Sequence, residues 1–320
     1  MYRYTRNDAS PPVSHSIAII CTRNRPGPLR HTLQTLQAQE GALLPRVYVI
    51  DASDAPAFDE NAHTVSTLSL DIVHHRHTGP PSAARQRNVG LDAMPNDVEF
   101  VFFFDDDITI CTGCLHHLTQ TLRENSDVYG AGAVEEVTPL PNNASPSTID
   151  WEHFFLLDAP TPGRVLPSGH TSEYATPLEN QTDLVSTEWL NTGCTAYRAE
   201  AIRTVRFDTD VEGASLEDLD FSYRVGKMGR LVGVPRAQFL HHAPPSRYTS
   251  VDYRARKLVD RFWFLEKSID HPLRYPAFWW AVLGQLVALL TSSKVGKYDA
   301  LKGHLQGIRA ILTRSHPALQ

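Results

Sequence analysis

The chain has 320 residues, of which 42% are hydrophobic, and a formal net charge of −6 at pH 7. These values predict a soluble globular protein built as one large domain with an appendage or as two tightly joined halves. Residues 1–250 carry 19 basic and 31 acidic side chains, and residues 251–320 carry 11 basic and 5 acidic side chains. The acidic body argues against nucleic-acid binding. The basic tail suggests contact with an anionic surface such as a bilayer.

Residues 1–14 have no apolar core and end near a Pro-Pro pair. We therefore expect a disordered lead-in and not a signal peptide. The four cysteines do not resemble a disulfide framework, which fits a reducing cytosol. Cys111 and Cys114, followed by two histidines, suggest a metal or redox cluster, but a single C-x-x-C is weak evidence and we expect small helix-facing residues instead.

The first hundred residues alternate between apolar strands and helical segments. Strands are predicted at 16–22, 46–50, 72–77 and 100–104. One helix follows the Pro- and Gly-rich loop 23–28, and another begins after Ser82, which fits an N-cap. This alternation predicts an α/β fold with a mostly parallel, helix-covered sheet, in which ligands bind at the carboxyl ends of the strands.

Three carboxylates, Asp105, Asp106 and Asp107, directly follow the strand that ends in Phe102-Phe103-Phe104. Packing three acidic groups side by side costs electrostatic repulsion. A divalent cation would offset that cost, because Mg²⁺ and Mn²⁺ take carboxylate oxygens together with substrate phosphates. The alternative is a polar turn that caps the next helix.

The second half changes character. Residues 139–188 are rich in Pro, Ser, Thr, Asn and Gly, and such irregular stretches are often binding loops. A helix is predicted from about Leu216 to the glycines at 226–229, and residues 231–234 and 238–242 look extended. Ser215 and Asp218 have the spacing of a capping box at the start of that helix.

The tail reads as helical. Its most apolar part, residues 277–290, is too short to span a bilayer. Aromatic residues 278–280 lie at one end, and Lys294 and Lys297 follow. This pattern fits a helix in the membrane interface, with peripheral contact through 273–297, and it equally fits a helix docked on the protein's own core.

Taken in order, these segments resemble glycosyltransferase family 2, whose fold is the nucleotide-diphosphosugar transferase fold GT-A. The resemblance covers about residues 16–250. It rests on an ordered series of motifs: Thr-x-Asn-Arg-Pro at 22–26, the strand ending in Asp51, Ala-Arg-x-Arg-Asn-x-Gly at 84–90, the three aspartates, Trp-Leu-Asn-Thr-Gly at 189–193, Phe207-Asp208, Glu217-Asp218-Leu-Asp220 and His241-His242.

The resemblance implies a glycosyltransferase domain at 15–250, with a nucleotide-sugar-binding half at 15–135 and an acceptor-binding half at 136–250. A helical C-terminal extension, 251–320, follows. Asp105 and Asp107 would hold a divalent cation, Mn²⁺ or Mg²⁺, together with His241, and His242 is the alternative third ligand.

The resemblance also implies residues for the two substrates. The donor, a nucleoside-diphosphate sugar, would be bound by Thr22, Asn24, Arg25, Asp51, Arg85, Arg87, Asn88, Asp105 and Asp106, with Asp51 at the nucleobase. The acceptor, a glycan or lipid-linked glycan, would contact Trp189, Asn191 and Thr192, although a Trp here could equally belong to the core.

Asp218 would be the general base that takes the proton of the acceptor hydroxyl during transfer with inversion, and Glu217 is the fallback. The expected enzyme is a hexosyl- or deoxyhexosyltransferase of the kind that builds bacterial cell-envelope polysaccharides. It would act in the cytoplasm or at the inner face of the cell membrane.

Two other functions fit less well. A sugar-1-phosphate nucleotidyltransferase would carry a glycine-rich phosphate loop after the first strand, where this chain has Thr-Arg-Asn-Arg-Pro-Gly-Pro at 22–28. A catalytically inactive glycan-binding or scaffold relative would be expected to lose Asp107, Asp218 or His241, and all three are present.

Overall fold

The computed structural model describes residues 15–136, 150–174, 183–210, 216–242, 250–291 and 296–320. The predicted lead-in 1–14, part of the irregular segment 139–188, Ser215 and Lys294 lie outside these ranges. Within them, nine strands form one sheet, helices cover it, and three helices form the C-terminal extension.

The amino-terminal half has the predicted alternation of strands and helices. Proline stands in the first turn of the first helix, where a missing N–H costs nothing. The elements are β1 (Ser16–Thr22), α1 (Pro26–Gln37), β2 (Arg46–Asp51), α2 (Ala55–Thr67), β3 (Ile72–Arg76), α3 (Ala83–Asp92), β4 (Phe100–Asp105), β5 (Ile108–Ile110), α4 (Cys114–Glu124) and β6 (Val128–Glu135).

The second half has short elements first and long helices at the end. Its elements are α5 (Trp151–Phe154), β7 (Val185–Thr187), β8 (Cys194–Arg198), α6 (Ala199–Ile202), α7 (Glu217–Gly226), β9 (Arg230–His241), α8 (Val251–Ser268), α9 (Arg274–Thr291), α10 (Lys297–Thr313) and a final 3-10 turn, Pro317–Leu319. The N-cap of α7 is Leu216, without a side-chain hydrogen bond, so the predicted capping position is shifted by one residue.

The strand order is β3-β2-β1-β4-β8-β6-β9-β5, with β7 paired to β9. The first four strands are parallel, β8 is antiparallel to β4 and β6, and β9 is parallel to β6. The α/β fold class is confirmed, and the antiparallel pairings lie in the second half. The carboxyl ends of β1, β2, β4 and β9 therefore meet at one edge of the sheet.

Strand β9 joins the two extended segments predicted at 231–234 and 238–242. Its register against β6 shifts between Val234 and Gln238. Pro235 follows Val234 and has no N–H to offer the ladder, so an irregularity at this point is expected. Beyond the shift the strand continues until His241 lies opposite Ile108 on β5, which brings the histidine to the edge where the aspartates lie.

The core has one apolar cluster on each face of the sheet, because successive strand side chains point to opposite faces. Phe102 and Phe104 belong to the cluster under α1 and α4, whereas Phe103 belongs to the cluster that includes α7 and α8. Phe278 of α9 is also part of this second cluster. The C-terminal helices are thus packed on the sheet domain.

Helix α10 lies close against α8. A Cβ built on Gly303 would lie 2.7 Å from the Val251 carbonyl oxygen, and one on Gly307 would lie 2.9 Å from that of Ala255. Only glycine allows the two backbones to approach this closely. Across the described ranges, none of the helices has the length and apolarity that a membrane span requires.

Candidate active site

The carboxyl edge of the sheet holds Asp105, Asp107 and His241, whose ligand atoms all lie within 4.8 Å of one another. His241 Nε2 is 3.1 Å from Asp107 Oδ1 and 3.9 Å from Asp105 Oδ2. His242 points elsewhere, with its Nε2 2.8 Å from Thr109 Oγ1. His241 is therefore the histidine that the fold places beside the aspartates.

Two carboxylates and an imidazole match the ligands that Mn²⁺ and related divalent ions accept. In the described part of the chain, this is the one group of three or more His, Cys, Asp or Glu side chains close enough to hold a metal ion. The C-x-x-C segment has no such group: Cys114 Sγ lies 3.7 Å from Cys194 Sγ inside the core.

The two inner aspartates have different electrostatic environments. Burial raises the pKa of Asp107, but hydrogen bonds from His241 and Arg25 lower it more, to about 2. Burial raises the pKa of Asp106 to about 7, although the charge of Arg25 and a hydrogen bond from Thr22 lower it. Asp107 is therefore the anionic member that suits a cation, and Asp106 is an internal anchor.

The loop after β1 is fastened to these acids. Thr22 Oγ1 donates to Asp106 Oδ2 at 2.6 Å, and Arg25 donates to Asp106 Oδ1 at 2.6 Å and also to Asp107. Asn24 has a positive φ of 55° and its backbone N–H donates to Ser53 Oγ at 2.8 Å. The predicted loop residues thus meet the aspartates, as expected for one site.

Asp51 is placed differently from the sequence expectation. The residue is fully buried, with 0% exposure. Its carboxylate accepts hydrogen bonds from Asn61 at 2.8 Å, His74 at 2.9 Å and the Ser53 backbone at 2.8 Å. These hydrogen bonds lower its pKa against the opposing effect of burial. Asp51 presents no atom to a nucleobase here, and it instead orients His74 and Ser53.

Arg87 connects the metal-binding acids with the acids of α7. It is 7% exposed, and its guanidinium donates to Glu217 Oε1 at 3.0 Å and to Asp105 Oδ1 at 3.3 Å. Its position over the Phe207 ring, 5.3 Å from the centroid, adds a cation–π contact. Arg87 therefore acts inside the site, between carboxylates, and not on an exposed helix face.

Asn88 and Arg85 are tied to the segment around residue 207. The Asn88 amide donates to the Phe207 carbonyl and accepts from the Phe207 N–H, both at 2.8 Å. Arg85 donates to the Thr209 carbonyl at 3.2 Å. The Asn88 amide therefore ties α3 to the segment around residue 207, and its role in donor binding stays a prediction.

Asp218 and Glu217 begin α7 and differ in how they are bonded. Glu217 is paired with Arg87, whereas Asp218 Oδ1 accepts, within the described residues, from the Leu219 backbone N–H at 2.7 Å. Burial and the charge of Glu217 raise the pKa of Asp218 to about 7, although Arg87 lowers it. Of the two, Asp218 has the oxygen that is freer to accept a proton.

Trp189 does not face a substrate. It is 9% exposed, packs edge-on against Tyr174 with ring centroids 5.4 Å apart, and donates its indole N–H to the Ser172 carbonyl at 3.0 Å. This corrects the predicted acceptor contact in favour of the core alternative. Thr192 is also buried, at 2% exposed, and Asn191 Oδ1 is buried without a partner among the described residues.

Residues 17–205 match the sequence pattern of the family described as Glycosyl transferase family 2. This match covers more than half of the chain. The chain belongs to glycosyltransferase family 2. Among curated proteins, none matches it.

Solved structures share the fold of this family 2 chain at low identity. A mannosyltransferase, PcManGT from Pyrobaculum calidifontis in complex with GDP-Man and Mn²⁺, is 16% identical with a TM-score of 0.57 over 93% of this chain and 88% of its own. GalNAc-T7 with UDP, GalNAc and Mn²⁺ is 14% identical with a TM-score of 0.63 over 96% and 59%. TarS 1–349 from S. aureus is 14% identical with a TM-score of 0.50 over 92% and 80%. These similarities establish the GT-A fold.

Sequence reasoning missed a stack of side chains at the β2–β3 end of this family 2 site. The rings of Phe58 and His74 are nearly parallel, with their centroids 4.5 Å apart. The Arg76 guanidinium lies over the same Phe58 ring, 4.3 Å from its centroid. His74 and Arg76 are two residues apart on β3 and so share one face of the strand. That spacing was the available signal.

Gln86 was also missed. Its amide donates to the Thr22 carbonyl at 3.1 Å and to the Ile50 carbonyl at 2.6 Å. It thereby fixes the ends of β1 and β2 relative to each other, directly below the loops that carry Asn24 and Ser53. A glutamine between two arginines on a helix gives no sequence signal for this role.

Proposed function

We propose that the protein is a metal-dependent, inverting glycosyltransferase that moves a hexosyl or deoxyhexosyl group from a nucleoside-diphosphate sugar to a hydroxyl of a glycan or lipid-linked glycan. The observation that carries this proposal is the Arg87 bridge. Arg87 joins Glu217, the residue before the proposed base Asp218, to Asp105 of the Asp105, Asp107 and His241 group, which supports one shared site.

In this proposal the acceptor hydroxyl attacks the anomeric carbon from the face opposite the leaving diphosphate. Asp218 accepts the hydroxyl proton as the new carbon–oxygen bond forms and the bond to the diphosphate breaks. Arg87 holds Glu217 away from the attacking hydroxyl and stabilises the ionised form of Asp218. The first turn of a helix favours a carboxylate in its charged form.

Asp105, Asp107 and His241 would hold the divalent cation. A bound Mn²⁺ or Mg²⁺ neutralises charge on the phosphate oxygens of a nucleoside diphosphate. Arg25 keeps Asp107 oriented through its hydrogen bond. The Mn²⁺ in the PcManGT and GalNAc-T7 complexes supports this assignment.

The test is the release of nucleoside diphosphate from a panel of uridine, thymidine and guanosine diphosphosugars, with and without Mn²⁺. We expect release from at least one donor in Mn²⁺ and none in EDTA. Asp218→Asn is the matched inactive variant. Donor binding without turnover in every combination would favour the inactive glycan-binding alternative.

We also propose peripheral contact of α9 with the inner face of the cell membrane, as expected of an enzyme that builds cell-envelope glycans on a lipid carrier. One face of α9 is packed in the core through Phe278 and Val282. Other apolar side chains of this region are exposed: Leu283 at 46% and Leu290 at 64% on α9, and Leu273 at 60% directly before it. The net +6 of residues 251–320 suits an anionic bilayer.

Co-sedimentation with vesicles that contain phosphatidylglycerol tests this contact. We expect Leu283→Glu to reduce binding, because it places a negative charge on the exposed apolar face. Thr313→Glu, which adds the same charge on exposed α10, is the control. Equal loss in both variants, or none in either, would contradict contact through α9.

A further inference from the structure

Helix α8 carries three basic side chains on one stripe: Arg254, Lys257 and Arg261, spaced at i, i+3 and i+7. Arg261 is 8% exposed and donates to the Gly169 carbonyl at 2.5 Å. Lys257 is exposed and Arg254 is half-buried. Within the described residues, neither of these two side chains forms an ion pair. The stripe therefore runs from a solvent-exposed ammonium down to a buried guanidinium.

His170 forms the far wall of this cluster. It is 7% exposed, and its Nε2 lies 3.0 Å from Gln285 Nε2 on α9. An amide nitrogen can only donate, so the imidazole accepts at Nε2 and its neutral form carries the proton on Nδ1. Nδ1 is buried and has no partner among the described residues. A buried N–H donor without a partner thus lies next in sequence to Gly169, whose carbonyl accepts from Arg261.

The cations in this cluster repel one another. Although the residue keeps an exposed surface, partial desolvation lowers the pKa of Lys257, and the charges of Arg261 and Arg254 lower it further. Burial lowers the pKa of Arg261 to about 10, although Asp260 raises it. Burial, Arg261 and Lys257 lower the pKa of His170. The nearby acid at the surface is Glu173, which acts on Lys257.

The segment that carries His170 leads to the carboxyl end of β6. Tyr174 donates its hydroxyl to the Ala133 carbonyl at 3.2 Å, and Glu173 before it is exposed. Glu135, two residues after Ala133, pairs with Phe239, two residues before His241. This end of the segment is therefore near the candidate metal ligands.

We propose that Arg254, Lys257, Arg261 and His170 form a second anion-binding site, separate from the metal site, which takes a phosphate group carried by the acceptor. Two guanidinium groups, an ammonium and an imidazole N–H offer donors from several directions and no acceptor. A phosphate presents several oxygens in a tetrahedral arrangement and can use all of them. The acceptor part of this proposal rests on the proposed transfer activity, whereas anion binding itself does not.

Direct binding of inorganic diphosphate to the full chain in EDTA, measured by calorimetry, tests the site without turnover. We expect Lys257→Met and Arg254→Met each to weaken binding about tenfold, since a hydrogen bond to a charged group is lost. Arg256→Met removes one exposed cation from the same helix outside the stripe and should leave the dissociation constant within about twofold. NMR of labelled protein measures how fast the His170 Nδ1 proton exchanges with solvent. We expect this exchange to become slower when diphosphate binds.

Weakening by Arg256→Met as large as by Lys257→Met would overturn the site, because general electrostatic attraction would then explain binding. Absence of diphosphate binding, or equal binding of a sugar carboxylate such as glucuronate, would also overturn it. The calorimetric measurement tests anion binding independently of the proposed transferase activity. Its outcome would decide the anion site even if the protein transferred no sugar.

The acceptor role has its own test. Acceptor sugars with and without a phosphate group are compared in the transferase assay, and KM should be lower for the phosphorylated acceptor. Lys257→Met should remove that difference in KM and leave kcat unchanged. Diphosphate binding combined with equal KM for both acceptors would reject the acceptor role.

Discussion

Arg87 donates a hydrogen bond to Glu217 at 3.0 Å and so joins helix α3 to the first turn of α7. The same guanidinium reaches Asp105 at 3.3 Å. A single buried cation thus holds the acid of the metal-binding group and the acids of the base region in one arrangement. The ionisation of Asp105 therefore influences that of the acids at the start of α7, and the reverse is also true.

Asp218→Asn should lower kcat by about 10²–10⁴-fold, because the amide cannot accept the hydroxyl proton. The Asn oxygen can still accept from the Leu219 N–H, so the helix start should be retained. Glu217→Gln is the comparison variant and should have the smaller effect on kcat. The measurements are steady-state turnover, donor affinity by calorimetry and circular dichroism. Near-normal turnover of the Asn variant would reject the assignment of the base.

Arg87→Met should destabilise the fold by about 2 kcal/mol, because it leaves carboxylates without their partner in a largely buried position. The loss of stability should be smaller than for a fully buried ion pair, because the Asp105 side chain is 32% exposed. Urea unfolding measures this change. Arg23→Met, which alters an exposed arginine in the loop after β1, is the control and should change stability by less than about 0.5 kcal/mol.

The rate should fall as the pH drops through about 7, because Asp218 must be ionised to act and its pKa is raised to about 7. Burial is the largest cause of the raised pKa, the charges of Glu217 and Asp105 raise it further, and the charge of Arg87 lowers it. The acid limb of kcat/KM for the donor measures the effect. Removing the positive charge in Arg87→Met should move that limb to higher pH. An unchanged limb in the variant would contradict the electrostatic link.

Chelation should abolish transfer, and Mn²⁺ should restore it, if Asp105, Asp107 and His241 hold the cation. Asp107→Ala should weaken Mn²⁺ binding at least about tenfold, as loss of an anionic ligand implies. Asp59→Ala, an exposed change on α2, is the control. Calorimetric titration of Mn²⁺ into each protein provides the comparison. Full activity in EDTA would refute the role of the metal.

Trp189→Phe should cost about 1–3 kcal/mol of stability, because it leaves the Ser172 carbonyl without its donor inside the core. Acceptor KM should change little, since the ring is buried. Thermal unfolding and acceptor kinetics separate the two effects. A large rise in acceptor KM with unchanged stability would restore Trp189 to the acceptor site.

The sequence was informative where chemistry and strand ends coincide. Asp105 and Asp107 follow an apolar strand, and parallel strands bring their carboxyl ends to one edge, so a metal-binding group there could be expected before the structure was known. His241 followed from the family resemblance, and its choice over His242 needed the register of β9 against β5. That register depends on the irregularity at Pro235, which periodicity cannot locate.

Other features of the site could not be predicted because they depend on distant contacts. Asn88 bonds with Phe207, 119 residues away, and no local pattern distinguishes an amide that binds a ligand from one that ties two segments. Asp51 lies at a strand end, as the donor prediction required, yet Asn61 and His74 cover its carboxylate. Burial of a polar side chain is a property of the assembled fold, so sequence position alone could not reveal it.

The family pattern ends at residue 205, but Phe262, Phe278 and Leu319 share one apolar cluster with Phe103 of the central sheet. The region that must fold together is therefore larger than the region that the family has in common. Shortened versions cut near the family boundary would leave this hydrophobic surface bare, so they would be expected to aggregate. Studies of catalysis in this protein therefore need residues 251–320 as well as the region that matches the family pattern.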